Sequence, residues 1–557
     1  MGAQVSQVAE PLVIRGGTLI DGSGQPGRRA DIAVKDGRVV EIGDWLRSAN
    51  EIDASGHVVT PGFIDIHTHY DAQVFWDPAL TPSSFHGVTT VIAGNCGFGI
   101  APIRPDGVEI VARTLEQVED MSFETLSEGV PWDQFETFPE YLDLIERRGT
   151  TLNYGCYVGH TPVRLYVMGP DAYERAATPD ELLRMTEVVT GALQSGAVGF
   201  ASSASPTHNG DHGRPVPSRL ADLNELRTLL QPLRAAGRGV VALLPGGVVG
   251  QPEMFELQKE IGRPFTWTAL KASKGSKDHE AIMAIHDAAR MQGAAVWPQV
   301  SCRPIVFQIN MSNPFGLNTR ETFTGLTGLS DAERCEVYRD PAWRAKARVD
   351  QSGFKLNWDE ITVGESDHRP DLIGMPVVEL AAQWGMTPLD VLIDLSLEDG
   401  LRTRFRAVLS NNDPDGIAWL LPRDGVVLGL ADSGAHVSQL CDACFATDLL
   451  GTWVREHEIM PIERAVHKLT AEPASIYGLS DRGMLAVGMA ADVCVFDPET
   501  VAPGPARRVT DFPGNGERLT VDAPIGMRHI LVNGTPIYRD GAPSSPGVER
   551  RPGNVLR

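Results

Sequence analysis

The segment Pro61–Asp71, "PGFIDIHTHYD", places two histidines directly after a short apolar run. Such a run is typical of a buried β-strand, and residues two positions apart in a strand point to the same side. His67 and His69 therefore project together from the end of this strand. Neutral imidazoles are good ligands for zinc and similar divalent metals, so the pair predicts a chelating site. A polar strand end that faces solvent is the alternative interpretation.

Beyond this strand, apolar strand-like runs alternate with helical stretches over roughly 400 residues, a pattern that predicts α/β architecture. Repeated strand–helix units of this kind favour a (β/α)8 TIM barrel with insertions. There are nine strand candidates for eight places, so one of them must lie outside the barrel. The candidates are the strand before His67 and the segments 87–95, 152–160, 196–203, 239–246, 264–271, 294–300, 405–411 and 426–433.

The two ends of the chain have a different pattern, with short alternating strands joined by Gly and Asp-Gly turns. Two or three such strands are unstable alone. We therefore predict that residues 1–62 and 482–557 pack together as one small β-sandwich domain. Residues 63–481 would form the barrel, and the stretch around 303–400 is an insertion that caps one barrel face.

Composition limits the classes of partner. The 557-residue chain has a formal net charge of −23, which argues against nucleic acid and anionic membranes as partners. It has no run of about 20 apolar residues and no recognisable signal peptide. Seven cysteines, an odd number, then indicate reduced thiols and a cytoplasmic protein. A small-molecule substrate is the expected partner, and a homo-oligomer is an open alternative.

Other reactive side chains also follow predicted strands. Cys96, in "VIAGNCGFGIAP", is a candidate thiolate ligand, with a buried inert cysteine as the alternative. Asp432, in "VVLGLADSGAH", is a candidate ligand and proton carrier. His160 and Arg164 follow a further strand, and His208 lies in a Gly/Pro-rich loop after another. Because catalytic groups of such barrels lie at the carboxyl ends of strands, the two first-strand histidines, Cys96 and Asp432 together predict one metal centre.

These motifs are similar to those of the amidohydrolase superfamily. "PGFIDIHTHYD" resembles its first-strand motif, and "ADSGAH" resembles the motif of its last-strand aspartate. "GVTTVIAGNCGFGIAP", "GHTPVR" and "LTAEPASIYGLSDRGMLAVGMAADVCVFDP" resemble the D-aminoacylase branch, the N-acyl-D-amino-acid deacylases. The resemblance covers most of the chain. It implies a metal-dependent barrel, a β-sandwich built from both termini, and hydrolysis of an N-acyl amino acid or related small amide.

The resemblance also implies roles for individual residues. His67 and His69 would bind a divalent metal, most simply Zn²⁺, as one or two ions. Cys96 would take the place of the bridging carboxylated lysine of other amidohydrolases. Asp432 would be the general acid/base that moves a proton from the attacking water to the leaving amine.

Two positions depart from the family pattern. D-aminoacylases carry two further metal-binding histidines, and the best matches here are Ala269 in "WTALK" and Ser301 in "QVSCRP". One explanation is a mononuclear centre held by the first-strand histidines, the cysteine and the aspartate. A second is a substitute ligand, with His208 as the first candidate and Lys271 as the other. The third is a non-catalytic binding protein that has lost its metal and its activity.

Three residues are candidates for substrate binding. Arg303, in "QVSCRP", is predicted near the barrel mouth, where it would hold a substrate carboxylate in a bidentate pair or form a surface ion pair. Arg164 has the same two interpretations, and His160 is the third candidate. A cyclic amide, lactam or carbamate is the alternative substrate class, because the same activated water would serve.

Overall fold

Parallel strands occupy the centre of the computed structural model, which describes residues 10–314, 316–544 and 551–557. Residues 1–9 and 545–550, which belong to the two predicted terminal segments, therefore lie outside the described part. A three-stranded parallel sheet contains, in pairing order, Asn153–Cys156, Val88–Ala93 and Phe63–Asp65. A six-stranded parallel sheet contains, in pairing order, Val158–Gly159, Gly199–Ser203, Val240–Leu244, Phe265–Trp267, Val296–Val300 and Val427–Leu428.

The two parallel sheets meet at both of their edges. A single residue separates the strands Asn153–Cys156 and Val158–Gly159. At the opposite edges, Thr68 and Ser433 form an isolated parallel bridge. The N–H of His69 donates to the carbonyl of Ser433 at 2.7 Å. The end of the first strand therefore lies beside the segment that follows the last one.

Helices flank these strands, and several begin at strong caps. At the start of Pro179–Ser195, for example, Thr178 and Glu181 form a reciprocal capping box. No helix in the described part of the chain has the length and apolar character needed to cross a membrane. The flanking helices are Val108–Glu119, Phe123–Gly129, Phe138–Arg148, His160–Met168, Pro179–Ser195, Leu223–Ala236, Gln251–Ile261, Asp278–Met291, Pro414–Leu420, Phe445–Asp448, Leu449–Glu456 (a π-helix), Ile462–Leu469 and Ala471–Tyr477.

The ninth strand candidate, segment 405–411, belongs to the predicted insertion. The strand Arg404–Ser410 pairs antiparallel with Ile305–Ile309 and with Ile361–Glu365. An apolar cluster of its own, including Phe405 and Leu392, forms the core of this region, so its length reflects a separately packed unit. Its helices are Glu321–Thr324, Asp331–Arg339, Pro341–Val349, Val377–Trp384 and Pro388–Glu398.

Strands from both chain ends share one sheet. That sheet has seven strands, in the order Ala542–Pro543, Thr535–Arg539, Met527–Val532, Val493–Phe496, Val58–Pro61, Thr18–Leu19 and Arg28–Arg29. A second sheet has the order Arg38–Gly43, Asp31–Lys35, Leu12–Arg15 and Asn50–Asp53. Ile14 and Ile32 of the second sheet are buried in one apolar cluster with Val493 and Leu531 of the first. A separate hairpin pairs Arg507–Phe512 with Gly516–Thr520.

Candidate metal centre

Four predicted site residues meet where the parallel strands end. One ligand atom from each of His67, His69 and Cys96 lies within 4.8 Å of the other two. The sulfur of Cys96 is 3.7 Å from Nε2 of His67. Oδ1 of Asp432 lies 3.0 Å from Nε2 of His67 and 3.7 Å from Nε2 of His69. The structure therefore brings these four residues together.

Unusual backbone conformations aim two of these side chains. Cys96 and Asp432 adopt left-handed backbone, with φ of 56° and 45°, which non-glycine residues rarely do. Beside Cys96, Gly97 has φ of 74°, and a Cβ there would lie 2.7 Å from the carbonyl oxygen of Ala201. Strained positions of this kind cluster at functional sites, where the surrounding structure holds them. The turn at Cys96 therefore depends on a glycine and on close packing against the neighbouring strand.

A second layer of polar groups orients the two imidazoles. Nδ1 of His67 donates to Oε1 of Gln299 at 2.7 Å, and Nδ1 of His69 donates to Oε1 of Glu119 at 2.9 Å. The amide nitrogen of Gln299 donates to Thr266 at 3.2 Å, which fixes the amide so that its oxygen faces the histidine. With the proton of each ring on Nδ1, the lone pair on Nε2 is available to a metal. Sequence reasoning missed Glu119 and Gln299, for which no local motif gives a signal.

The charges around the histidines favour an added cation. Burial lowers the pKa of His67, but the charge and hydrogen bond of Asp432, together with Cys96, outweigh burial and raise that pKa to about 10. Burial also lowers the pKa of His69, but the charge of Glu119, together with hydrogen bonds, raises that pKa well above its usual value. The two imidazoles hold the pKa of Asp432 well below its ordinary range and lower that of Cys96, although burial opposes both shifts. Two imidazoles, a thiolate and a carboxylate are a donor set that fits zinc in place of the bound protons.

The cluster opens into a cavity of about 370 Å³. Its apolar wall includes Phe98, Trp267 and Leu430, and two basic side chains, His208 and Lys271, also line it. The structure therefore brings both candidate substitute ligands to the site cavity. Among the described residues, however, His208 does not belong to the close group of ligand atoms formed by the two histidines and the cysteine.

The two positions that depart from the family pattern differ in location. Ala269 lines the cavity, so a side chain without a ligand atom stands there. Ser301 is not part of the cavity lining, and its hydroxyl accepts the backbone N–H of Arg303 at 3.0 Å.

The structure does not bring Arg164 or His160 to this cavity. The buried guanidinium of Arg164 donates to both carboxylate oxygens of Glu225 at 2.5 and 2.7 Å. His160 lies 3.0 Å from the same carboxylate and 2.8 Å from the hydroxyl of Ser202. Both side chains are therefore held by internal partners away from the site cavity, and their role in substrate binding stays a prediction.

Arg303 likewise has internal partners. Its Nε donates to Asp442 at 2.7 Å, and its Nη1 lies 3.2 Å from Asp448. It does not line the site cavity. In this structure Arg303 therefore forms ion pairs with Asp442 and Asp448, and it does so away from the site cavity.

The family model described as "Amidohydrolase family" matches residues 50–352 and 378–538. This match covers most of the chain, and the protein therefore belongs to the amidohydrolase family.

Curated relatives place the chain near a particular branch. It is 29% identical over 570 residues to an N-acyl-D-glutamate deacylase of Alcaligenes xylosoxydans xylosoxydans, with 98% of this chain and 96% of the relative covered. It is also 29% identical over 545 residues to a D-aminoacylase of the same organism, with 95% of each chain covered. The sequence-based resemblance to the D-aminoacylase branch is thus confirmed.

Solved structures agree with this placement. The N-acyl-D-glutamate deacylase from Bordetella bronchiseptica, complexed with zinc and a phosphonate mimic of the tetrahedral intermediate, matches with a TM-score of 0.68 and 26% identity. That match covers 98% of this chain and 99% of the other. A D-aminoacylase also matches, with a TM-score of 0.68 and 25% identity. Its binuclear metal centre is described as showing activation by one metal and attenuation by the second. The match covers 99% of this chain and all of the other. The fold is the mixed α/β fold of these enzymes, and the chain is a hydrolase of carbon–nitrogen bonds other than peptide bonds.

Proposed function

We propose that the chain hydrolyses the amide bond of N-acyl-D-amino acids with one zinc ion held by His67, His69 and Cys96. The observation that carries this proposal is the convergence of two Nε2 atoms, a thiolate and the Asp432 carboxylate, with both Nδ1 atoms held from behind. Support for a single ion comes from Ala269, which has no ligand atom at the cavity, and from the one-metal activation described for the similar D-aminoacylase. The zinc complex of the similar deacylase supports the identity of the ion.

The roles of the protein groups follow from their contacts. When bound, the ion would lower the pKa of a water and polarise the scissile carbonyl. Asp432 is kept as a carboxylate by the neighbouring imidazoles, so it is ready to accept the proton of the attacking water. It then donates this proton to the leaving nitrogen, and amide plus water become a carboxylate and an amine. Glu119 and Gln299 keep the imidazoles in the orientation that this arrangement needs.

Lys271 is the group best placed to bind the carboxylate of the substrate. It lines the cavity and has no hydrogen-bond or ion-pair partner among the described residues. Burial lowers its pKa, which means that an anion beside it would be stabilising. The apolar side chains of Phe98, Trp267 and Leu430 offer a surface for the acyl group or the amino-acid side chain. The substrate would thus be held by its carboxylate and by apolar contact.

The central strands would form one closed (β/α)8 barrel within residues 63–481. With the segments on either side of Tyr157 taken as one strand, the two sheets contain eight parallel strands, and the Thr68–Ser433 bridge joins their outer edges. Residues 1–62 and 482–557 would form a composite β-sandwich domain, which is supported by the shared sheet and apolar cluster. All seven cysteines are free, which supports a reducing, cytoplasmic location.

Metal content is the first test. Protein purified without chelator is analysed for metals beside the double variant His67→Asn/His69→Asn, with His368→Asn, an exposed residue of the insertion, as the matched control. We expect about one zinc ion per chain in the wild type and the control, and little in the double variant. Absence of metal after incubation with zinc, manganese and cobalt would overturn the proposal.

Amine release from a substrate panel is the second test. N-acetyl-D-amino acids, their L-enantiomers and a set of cyclic amides are compared with wild type, Lys271→Met and the control Lys274→Met. Lys274 is an exposed lysine of the same loop that pairs with Glu360. We expect turnover of the D-substrates and a raised KM in Lys271→Met alone. Turnover of cyclic amides only would reject the N-acyl amino acid as substrate.

A further inference from the structure

His208 is held in one position beside the reaction site. It lines the same cavity as Cys96 and Asp432, and its ring lies against Phe98 with centroids 5.0 Å apart. Its backbone N–H donates to the carbonyl of Ser205 at 3.2 Å. Its own carbonyl accepts from the guanidinium of a neighbouring arginine at 3.0 Å. The imidazole is thus positioned by both backbone and ring contacts.

The hydrogen bonds assign the position of its proton. Nδ1 of His208 lies 2.8 Å from the hydroxyl of Ser203. That hydroxyl oxygen also accepts the backbone N–H of Ser205 at 3.2 Å, and a Ser203 hydroxyl that donates its own proton to Nδ1 satisfies both contacts. Burial, and then the nearby histidines, lower the pKa of His208 to about 3, so the ring is neutral and carries one proton. With Nδ1 accepting from Ser203, this proton is on Nε2, and His208 lines the cavity as a hydrogen-bond donor.

We propose that His208 is a further catalytic residue, whose Nε2–H donates to the scissile carbonyl oxygen and to the oxyanion that develops on it. This inference rests on the proposed function. Ala269 has no ligand atom for a second ion in the cavity. With a single ion, the scissile carbonyl oxygen would therefore require a hydrogen-bond donor from the protein. The hydroxyl groups of the lining have protein partners: those of Ser205 and Thr207 bond each other at 2.8 Å, and that of Thr268 lies 3.3 Å from Nδ1 of His67.

This role differs from the alternative in which His208 completes the metal shell. A ligand would have to present a lone pair, whereas the pattern around Ser203 places a proton on the free nitrogen. A donor aimed at a developing oxyanion contributes more to the transition state than to the bound substrate. Removal of one such donor costs roughly 10²–10³-fold in kcat.

The test compares His208→Leu, which removes the donor, with His208→Gln, which keeps an N–H at similar reach. His212→Leu is the matched control, because His212 lies in the same loop with a side chain that is 78% exposed. For each variant, kcat and KM for an N-acetyl-D-amino acid, zinc content, thermal stability and the affinity for an N-acyl phosphonate analogue are measured.

We expect His208→Leu to lower kcat roughly 10²–10³-fold with a small change in KM, and to weaken phosphonate binding by a similar factor. Zinc content should stay at the wild-type level, and His208→Gln should recover part of the activity. Loss of zinc in either variant would show a metal ligand and overturn the inference. Unchanged kcat would also overturn it, whereas a wild type that hydrolyses none of the substrates would overturn the proposed function and this inference with it.

Discussion

Replacement of Glu119 by glutamine tests the electrostatics of the candidate metal centre. Glu119 is 4% exposed, and its carboxylate accepts the Nδ1 proton of His69 at 2.9 Å. The glutamine oxygen is able to accept the same hydrogen bond, so the ring keeps its position while the negative charge behind it is lost. The imidazole then becomes a poorer donor to a cation.

The expected size of the effect is a 10- to 100-fold weaker zinc affinity, as for other groups that hold a metal-bound histidine from behind. This factor corresponds to about 1.4–2.8 kcal/mol. Competition with a chromophoric chelator measures the dissociation constant directly. Because Glu119 acts through its hydrogen bond to His69, kcat at saturating zinc should change much less than the affinity.

The matched control is Glu109→Gln, which removes the same charge from an exposed position of the same helix. This control separates a contact effect from a change in net charge. If Glu119→Gln and Glu109→Gln bind zinc as tightly as the wild type, the carboxylate does not tune His69. The argument from the hydrogen bond would then be refuted.

Three further substitutions have distinct expected outcomes. Asp432→Asn should retain fold and zinc but lower kcat roughly 10²–10⁴-fold, and kinetics near wild type would reject it as proton carrier. Cys96→Ala should lose zinc affinity in chelator competition, whereas Cys335→Ala, in the insertion, should not. Glu225→Gln should lower the free energy of unfolding by about 3–5 kcal/mol without loss of zinc, because Arg164 loses its buried counter-ion. Burial raises the pKa of Glu225, but His160 and Arg164 lower that pKa to about 2, so denaturant titrations should show this contribution above pH 4.5 and its loss as the pH falls through 2.

The ligand cluster was predictable because strand ends are encoded locally. An apolar run followed by His67 and His69 fixes both the strand and the side from which the rings project. The same reasoning located Cys96. Reactive side chains at the carboxyl ends of neighbouring parallel strands lie close together, because those ends meet at the same edge of the sheet. The same reasoning did not locate the contacts of Arg164, because the local motif does not reveal a partner such as Glu225, which is 61 positions further along the chain.

The support of the centre was not predictable, because it comes from distant segments. Glu119 ends its helix, and its carbonyl accepts the N–H of Val437 at 3.4 Å. The next residue, Asp120, accepts the hydroxyl of Ser438 at 2.6 Å and the amide of Asn313 at 3.1 Å. These partners are 318 and 193 positions away, one in the loop after Asp432 and the other in the insertion. The insertion therefore helps to hold the group that orients a histidine of the centre, although it supplies none of the ligand atoms in the close group.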